Sequence, residues 1–368
     1  MNHPYENELR ALKRSGRYRE RRIHDPGLID AASNDYLGLA HLGGLHAQAC
    51  ETLVSYPYHG PKASMLVNGY HPIHAAFEEA LCKANGFEAG IVMGSGFNAN
   101  IGLIEALVRK GDLLLIDEEY HASGIVASRM SEGEVVFFGH NDATELSALL
   151  EKNRGRRIVV AIEGIYSMGG DLAKREIIEL AVSHDAVLIL DEAHSSGVIG
   201  ETLMGILDHY GIIPTPRMVK MGTLGKAYGS FGAYALSSAH IADYLINRAK
   251  NVIYATAPSL YDTALALHAL EYIQSHTEVL REAIERRRQI VREMLGIDVA
   301  GLIVPVEIGD NREVIRIQEE LKNELGVLVG AIRQPTVKKA IIRLIARLDI
   351  GEEVLRSICE RLNPVWVK

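Results

Sequence analysis

From about Ala75 onward, short apolar runs alternate with stretches of helical period. The runs are Gly90–Met93, Asp112–Ile116, Glu134–Phe138, Arg157–Ile162, Ala186–Leu190 and Arg217–Met221. Interleaving of this kind predicts a mostly parallel sheet with helices on both faces, an α/β architecture. From about Tyr261 to Leu295 the pattern becomes long and helical, with a basic stretch at Arg286–Arg288, as expected of a helix that bridges two domains. A second unit follows. Leu302–Ile308 reads as a strand, 309–311 as a turn, and a helix runs to about Leu325. Strands are expected at Val327–Ile332 and Ala340–Ala346, then a terminal helix from Gly351. Before the alternation begins, the segment to about Pro26 is basic and helical in pattern. Lys13, Arg14, Arg17, Arg19, Arg21 and Arg22 crowd there, as a solvated helix face or as an arm that handles anions. The expected division is an N-terminal helical arm and segment (1–45), a large domain (46–260), and a bridging helix with a small α+β domain (261–368).

Composition narrows the class. At 368 residues, 48% of them apolar, the chain can build one large core and a smaller one. A formal charge of -8 argues against a general nucleic-acid binder. Cys50, Cys82 and Cys359 are far apart and form no CxxC, which fits a reducing cytoplasm better than a zinc site or a disulfide framework. The opening residues, Met1 to Glu6, hold no apolar stretch of a signal peptide, and no apolar run reaches the length of a membrane span.

Candidate chemistry gathers where the runs end. Leu188-Ile189-Leu190 leads into Asp191-Glu192-Ala193-His194, and Lys226 lies in a later loop between Gly222, Gly225 and Gly229. A lysine amine can condense with an aldehyde. A strand-end carboxylate is costly to bury unless paired, and a protonated pyridine nitrogen supplies the partner. Together they describe a pyridoxal 5'-phosphate (PLP) site, in which the charged ring stabilises a carbanion at an amino acid's Cα. His194 could reach the ring's phenolic oxygen, and Thr223 could donate to phosphate. Gly94-Ser95-Gly96-Phe97-Asn98 opens a helix after a strand, the arrangement of an anion cradle. It lacks the full GxGxxG pattern, which disfavours a dinucleotide-dependent oxidoreductase. His121 follows another strand and could stack on a flat cofactor, and Ser167 offers a hydroxyl from the loop Glu163–Asp171. His71, His74 and Glu78 share a helical region but present no evident third ligand, so no metal site is expected.

These motifs, in order, resemble the α-oxoamine synthases, a branch of the fold-type I PLP-dependent transferases. The resemblance spans nearly the whole chain. It rests on Ser33-Asn34-Asp35-Tyr36-Leu37-Gly38-Leu39, on Gly69 with His74 and Glu78, and on Ser95-Gly96-Phe97 with Asn100. Tyr120–Ser123, His140-Asn141-Asp142, Ile165–Asp171, Asp191–His194 with Gly197 and Gly200, the lysine loop, and Ala331–Val337 continue it.

The resemblance implies roles. Lys226 would hold PLP and act as base and acid at Cα, with Asp191 on the pyridine nitrogen. His121 would stack on the ring, and Ser167 and His194 would contact its phenolic oxygen. Ser95, Gly96, Phe97 and Thr223 would hold the phosphate, and Thr256 would reach that of a neighbouring subunit, making the protein a homodimer. Arg19, Asn34, Thr336 and Arg343 would serve the substrates, with Arg343 on the amino-acid carboxylate and Arg347 a competing choice. The implied reaction joins an amino acid to an acyl thioester on CoA or acyl carrier protein, with loss of the thiol and CO2. The segment Ala227–Tyr234 looks like the branch that uses L-alanine and a pimeloyl thioester in biotin synthesis. Glycine-using ligases that take acetyl-CoA are the alternative, and a non-catalytic member is disfavoured because Lys226 is present. Four departures stand out. His59–Met65 replaces a glycine-rich segment and lacks its Arg, Gly169 replaces an Asp, the loop after Val337 is about two residues short, and the usual T-A-x-H tail after the Arg-bearing strand is missing.

Overall fold

The central apolar runs fold into strands because both faces of the sheet are covered, so every position can be apolar. The computed structural model describes residues 3–15 and 17–366; Met1 and Asn2, part of the stretch read as lacking a signal peptide, lie outside them. The first strand, β1 (Ile29–Ala31), joins a small sheet. The next seven form the larger one: β2 (Ala89–Met93), β3 (Leu113–Asp117), β4 (Glu134–Phe138), β5 (Ile158–Glu163), β6 (Val187–Asp191), β7 (Met218–Thr223) and β8 (Ala233–Ser237). Their order is β2-β8-β7-β6-β5-β3-β4. Pairing is parallel from β7 to β4, and β8 runs antiparallel between β2 and β7. Leu113 to Ile116 and Val159 to Ile162 are wholly buried, with one apolar core on each side of the sheet.

β8 was absent from the expected elements. Its sequence, Ala-Tyr-Ala-Leu-Ser, carries little β-branched signal and follows a glycine-rich loop directly; burial of all five residues creates it. That loop packs closely on the N-terminal segment. Gly229 has φ +59°, and a Cβ there would come within 2.5 Å of the Ala40 nitrogen, so only glycine fits.

The second sheet has the order β1-β10-β11-β9, with β9 at Ile303–Gly309, β10 at Val327–Ile332 and β11 at Ala340–Ile345. β1 pairs in parallel with β10, and the remaining pairs are antiparallel. Residues 29–31 are thereby built into a sheet whose other strands lie at the far end of the chain.

Two helical expectations need correction. In the basic N-terminal segment only Glu6–Arg14 is helical, with none of its residues buried, and residues 17–25 form no helix. Arg17, Arg19, Arg21 and Arg22 bring like charges together without an apolar stripe to dock. The expected long helix is two, Leu260–Ser275 and Thr277–Leu295, broken at His276. Ser275 Oγ bonds the carbonyls of Glu271 and Tyr272, and Thr277 Oγ1 bonds those of Ile273 and Gln274. Such side-chain bonds compete with the helical ladder. Among the described residues no helix is long and apolar enough to cross a membrane. The carboxyl ends of β2, β3, β5, β6 and β7 open on one side, where ligands of such sheets collect.

Candidate active site

β6 ends in Asp191 and β5 in Glu163, which are register partners. Both are buried. Asp191 Oδ2 accepts from Asn100 Nδ2 at 2.7 Å and Oδ1 from the Ala193 N–H at 3.0 Å. Asn100 comes from the helix Gly96–Leu107 that follows β2. Its Nδ2 also donates to Ser123 Oγ at 2.9 Å, and its Oδ1 accepts from the Tyr120 hydroxyl at 2.7 Å. Ser123 in turn lies 2.7 Å from His121 Nδ1, which also accepts the Ser123 N–H at 3.2 Å. With Nδ1 accepting, the His121 proton resides on Nε2. Burial pushes the His121 pKa down, so the ring is neutral with one outward N–H to give.

Lys226 follows β7. Its Nζ lies 2.7 Å from His194 Nε2, and His194 Nδ1 lies 2.5 Å from the Tyr36 hydroxyl. Burial, reinforced by the Lys226 charge, holds the His194 pKa well below the usual range, so this imidazole is neutral as well. Burial lowers the Lys226 amine to about 8, against the opposing pull of Asp191 and Glu163. Tyr36 is pushed up to about 12 and stays protonated. Donation from Tyr36 to Nδ1 leaves the His194 proton on Nε2, facing the amine.

Lys226, Asp191, His194, His121, Glu163 and Asn100 line one cavity of about 150 Å³, with Gly96, Phe97 and Thr223 at its wall. Ser95 Oγ caps the helix by accepting the Asn98 N–H at 3.3 Å. A Cβ at Gly96 would meet Thr223 Oγ1 at 3.6 Å, so the helix mouth and the lysine loop face each other. Ser167 donates its N–H to Glu163 Oε2 at 3.0 Å, and its carbonyl accepts Arg343 Nε at 2.8 Å. Arg343 NH1 donates to Asn34 Oδ1 at 2.9 Å.

Three predicted residues lie elsewhere. Arg19 and Thr336 share a separate cleft of about 300 Å³ with Arg17 and Arg333. Thr256 is exposed, next to Ala257, whose N–H bonds the Ala63 carbonyl at 2.9 Å. His74 and Glu78 are occupied structurally. His74 Nε2 lies 3.0 Å from the Pro258 carbonyl oxygen, and Glu78 accepts from Tyr70 and from the Val92 N–H.

Asn100, Ser123, Tyr36 and Glu163 form part of the site without having been given a role from sequence. Glu163 carried the same signal as Asp191, an acid ending an apolar run. Burial, then the nearby Asp191 charge, raises its pKa well above the usual carboxylate range.

Behind the cavity, Asp117 at the end of β3 accepts from the Tyr166 hydroxyl at 2.8 Å and the Asn141 N–H at 3.0 Å. His140 bridges Asp117 and Asp171 at 3.0 and 2.8 Å. This bracket ties the loop bearing His121 to the loop bearing Ser167.

A fold of this topology, with an amine and a carboxylate at strand ends, defines a class. The chain belongs to the aminotransferase class I and II family, whose sequence model matches residues 26–362. Within it, the chain is 41% identical over 360 residues to a Helicobacter pylori 8-amino-7-oxononanoate synthase, covering 97% of this chain and 96% of that protein. A putative enzyme of the same name from Aquifex aeolicus is 37% identical over 370 residues, covering 98% of each. Among solved structures, a serine palmitoyltransferase from S. paucimobilis with bound PLP superposes with a TM-score of 0.87 at 22% identity, over 98% of this chain and 97% of that one. The 8-amino-7-oxononanoate synthase of Francisella tularensis gives 0.76 at 24% identity, over 92% and 98%. These two likenesses speak for the fold.

Proposed function

We infer that this chain carries out the 8-amino-7-oxononanoate synthase reaction of biotin biosynthesis. L-Alanine condenses with pimeloyl-CoA, giving the aminoketone, free CoA and CO2 with PLP as cofactor. The observation that carries the reading is the single cavity onto which the Lys226 amine and the Asp191 carboxylate both open, in a chain similar to such enzymes over nearly its full length.

The residues fit PLP. Glu163 Oε1 is buried with no hydrogen-bond partner, so the wall still has a polar atom to satisfy. The N–H groups of Gly96 and Phe97 and the Thr223 hydroxyl suit the phosphate, Asp191 the pyridine nitrogen, His121 the ring face, and Ser167 and His194 the phenolic oxygen. PLP bound there supplies an electron sink for charge developing at the amino acid's Cα.

The chain's own groups do the rest. Lys226 Nζ, neutral above about 8, would hold the cofactor and move the proton at the amino acid's Cα. The neutral His194 directs its Nε2–H at the Lys226 amine and so orients that amine without competing with it as a cation. Asn100 holds the Asp191 carboxylate in orientation through its 2.7 Å hydrogen bond. The His121 Nε2–H gives a hydrogen bond to the developing ketone oxygen. Arg343, with Asn34 beside it, offers a planar fork for the alanine carboxylate. Arg347 is spent elsewhere: its guanidinium bonds Asp30, Ser33, Asp35 and Asp349. Arg19 and Thr336 belong at the acyl-donor end.

The same reading includes a cytoplasmic homodimer, with Thr256 contributing to the partner's site. Exposed Tyr254 and Phe97 near that face support a covered surface. It also keeps the division at 1–45, 46–260 and 261–368, supported by the two separate sheets. Thiol release by PLP-loaded protein tests the reading. L-Alanine with pimeloyl-CoA is expected to release CoA, and glycine with acetyl-CoA is not. The reverse outcome would move the chain to the glycine-using ligases.

A further inference from the structure

The geometry points to Arg347 as a positioning residue that sets the affinity for the amino-acid substrate. This rests on the reading of Arg343 and Asn34 as the carboxylate site.

Arg347 is 1% exposed, and every nitrogen of its guanidinium is used. Nε and NH2 grip Asp349 at 2.9 and 2.6 Å. NH1 reaches Asp30 at 2.7 Å and Ser33 Oγ at 2.6 Å, and NH2 also reaches Asp35 at 3.3 Å. Three of these partners, Asp30, Ser33 and Asp35, bracket Asn34. The adjoining backbone completes the tie, since the Leu348 N–H donates to the Tyr36 carbonyl at 3.0 Å. Asp349 lies so close to Gly38, at φ +73°, that a Cβ there would come within 2.7 Å of the Asp349 Cβ.

The segment held in this way carries two side chains into the site. Asn34 meets Arg343, and Tyr36 meets His194, which meets Lys226. Arg343 itself stands on β11, four residues before Arg347. One buried cation thus fixes the spacing between Asn34 and Arg343 without touching substrate. A single lysine amine has no fork with which to hold three carboxylates at once.

The test compares Arg347→Lys and Asp35→Asn with the wild-type holoenzyme, titrating L-alanine against cofactor absorbance without acyl donor. Both variants are expected to raise the alanine dissociation constant on the order of 10- to 100-fold. KM for alanine should rise in parallel, with kcat changed by less than about threefold. Asp35→Asn leaves Arg347 with Asp30 and Asp349 and keeps the test alive if Arg347→Lys does not fold. Arg157→Gln, which breaks the distant pair with Asp112, reports on general destabilisation and should leave alanine binding alone. Variants that load cofactor and bind alanine like the wild type would overturn the inference, as would equal weakening in Arg157→Gln. A wild-type holoenzyme with no response to alanine would overturn the proposed function and this inference together.

Discussion

His140 offers a measurable handle on the bracket behind the site. Hydrogen bonds to Asp117 and Asp171 outweigh its burial and raise its pKa from an ordinary 6.5 to about 10. At 1.36 kcal/mol for each tenfold change in acidity, that rise has a ceiling of about 5 kcal/mol. The ring is 22% exposed and Asp171 45% exposed, so solvent screening brings the expected contribution to about 2 kcal/mol. The sign follows from the raised folded pKa. The stabilisation is complete below 6.5, where the unfolded histidine is also protonated, and is lost as the pH climbs through about 10. His140→Gln removes the titration. Urea unfolding of wild type and variant, from pH 6 to 10.5, should show a gap of about 2 kcal/mol near pH 6 that closes toward the alkaline end. A gap constant across that range would refute the reasoning, because it would place the contribution in packing and not in charge.

Other expectations follow from the cavity. PLP capture by the apoenzyme, followed by absorbance, should accelerate with pH and level off above about 8 as the Lys226 amine loses its proton. Lys226→Ala should lower CoA release on the order of 10²–10⁴-fold or more, and full activity in that variant would defeat the assignment. Asn100→Ala removes a charge-assisted bond to Asp191, and equilibrium titration should find PLP bound roughly 10- to 100-fold more weakly. Arg343→Lys keeps the charge but loses the fork, so steady-state kinetics should show a higher KM for alanine with a smaller effect on kcat.

Much of the large sheet was legible because its strands are continuous apolar runs punctuated by turns. Strand ends were legible for the same reason, which is how Asp191 stood out. The elements that escaped notice draw their stability from tertiary burial. β8 is alanine-rich and takes its place only between β2 and β7, and β1 is three residues that gain a partner from the far end of the chain. Arg343 and Arg347 could not be told apart by spacing alone. Their surroundings separate them, since Arg347 is enclosed by three carboxylates and Arg343 faces Asn34 and the Ser167 carbonyl. The network from Tyr120 through Asn100 to His121 was likewise invisible, because hydrogen bonds between distant loops leave no periodicity.

The pairing of β1 with β10 has a consequence for biogenesis. Residues 29–31 leave the ribosome well before β10, and the sheet they complete cannot exist until Val327–Ile332 has been made. Asn34 and Tyr36 wait with them, so competence for the amino acid cannot precede synthesis of β10. Proteolytic loss of that N-terminal strand would bare the outer edge of β10. An unpaired edge is a template for intermolecular pairing, and molecules clipped there would be prone to aggregate.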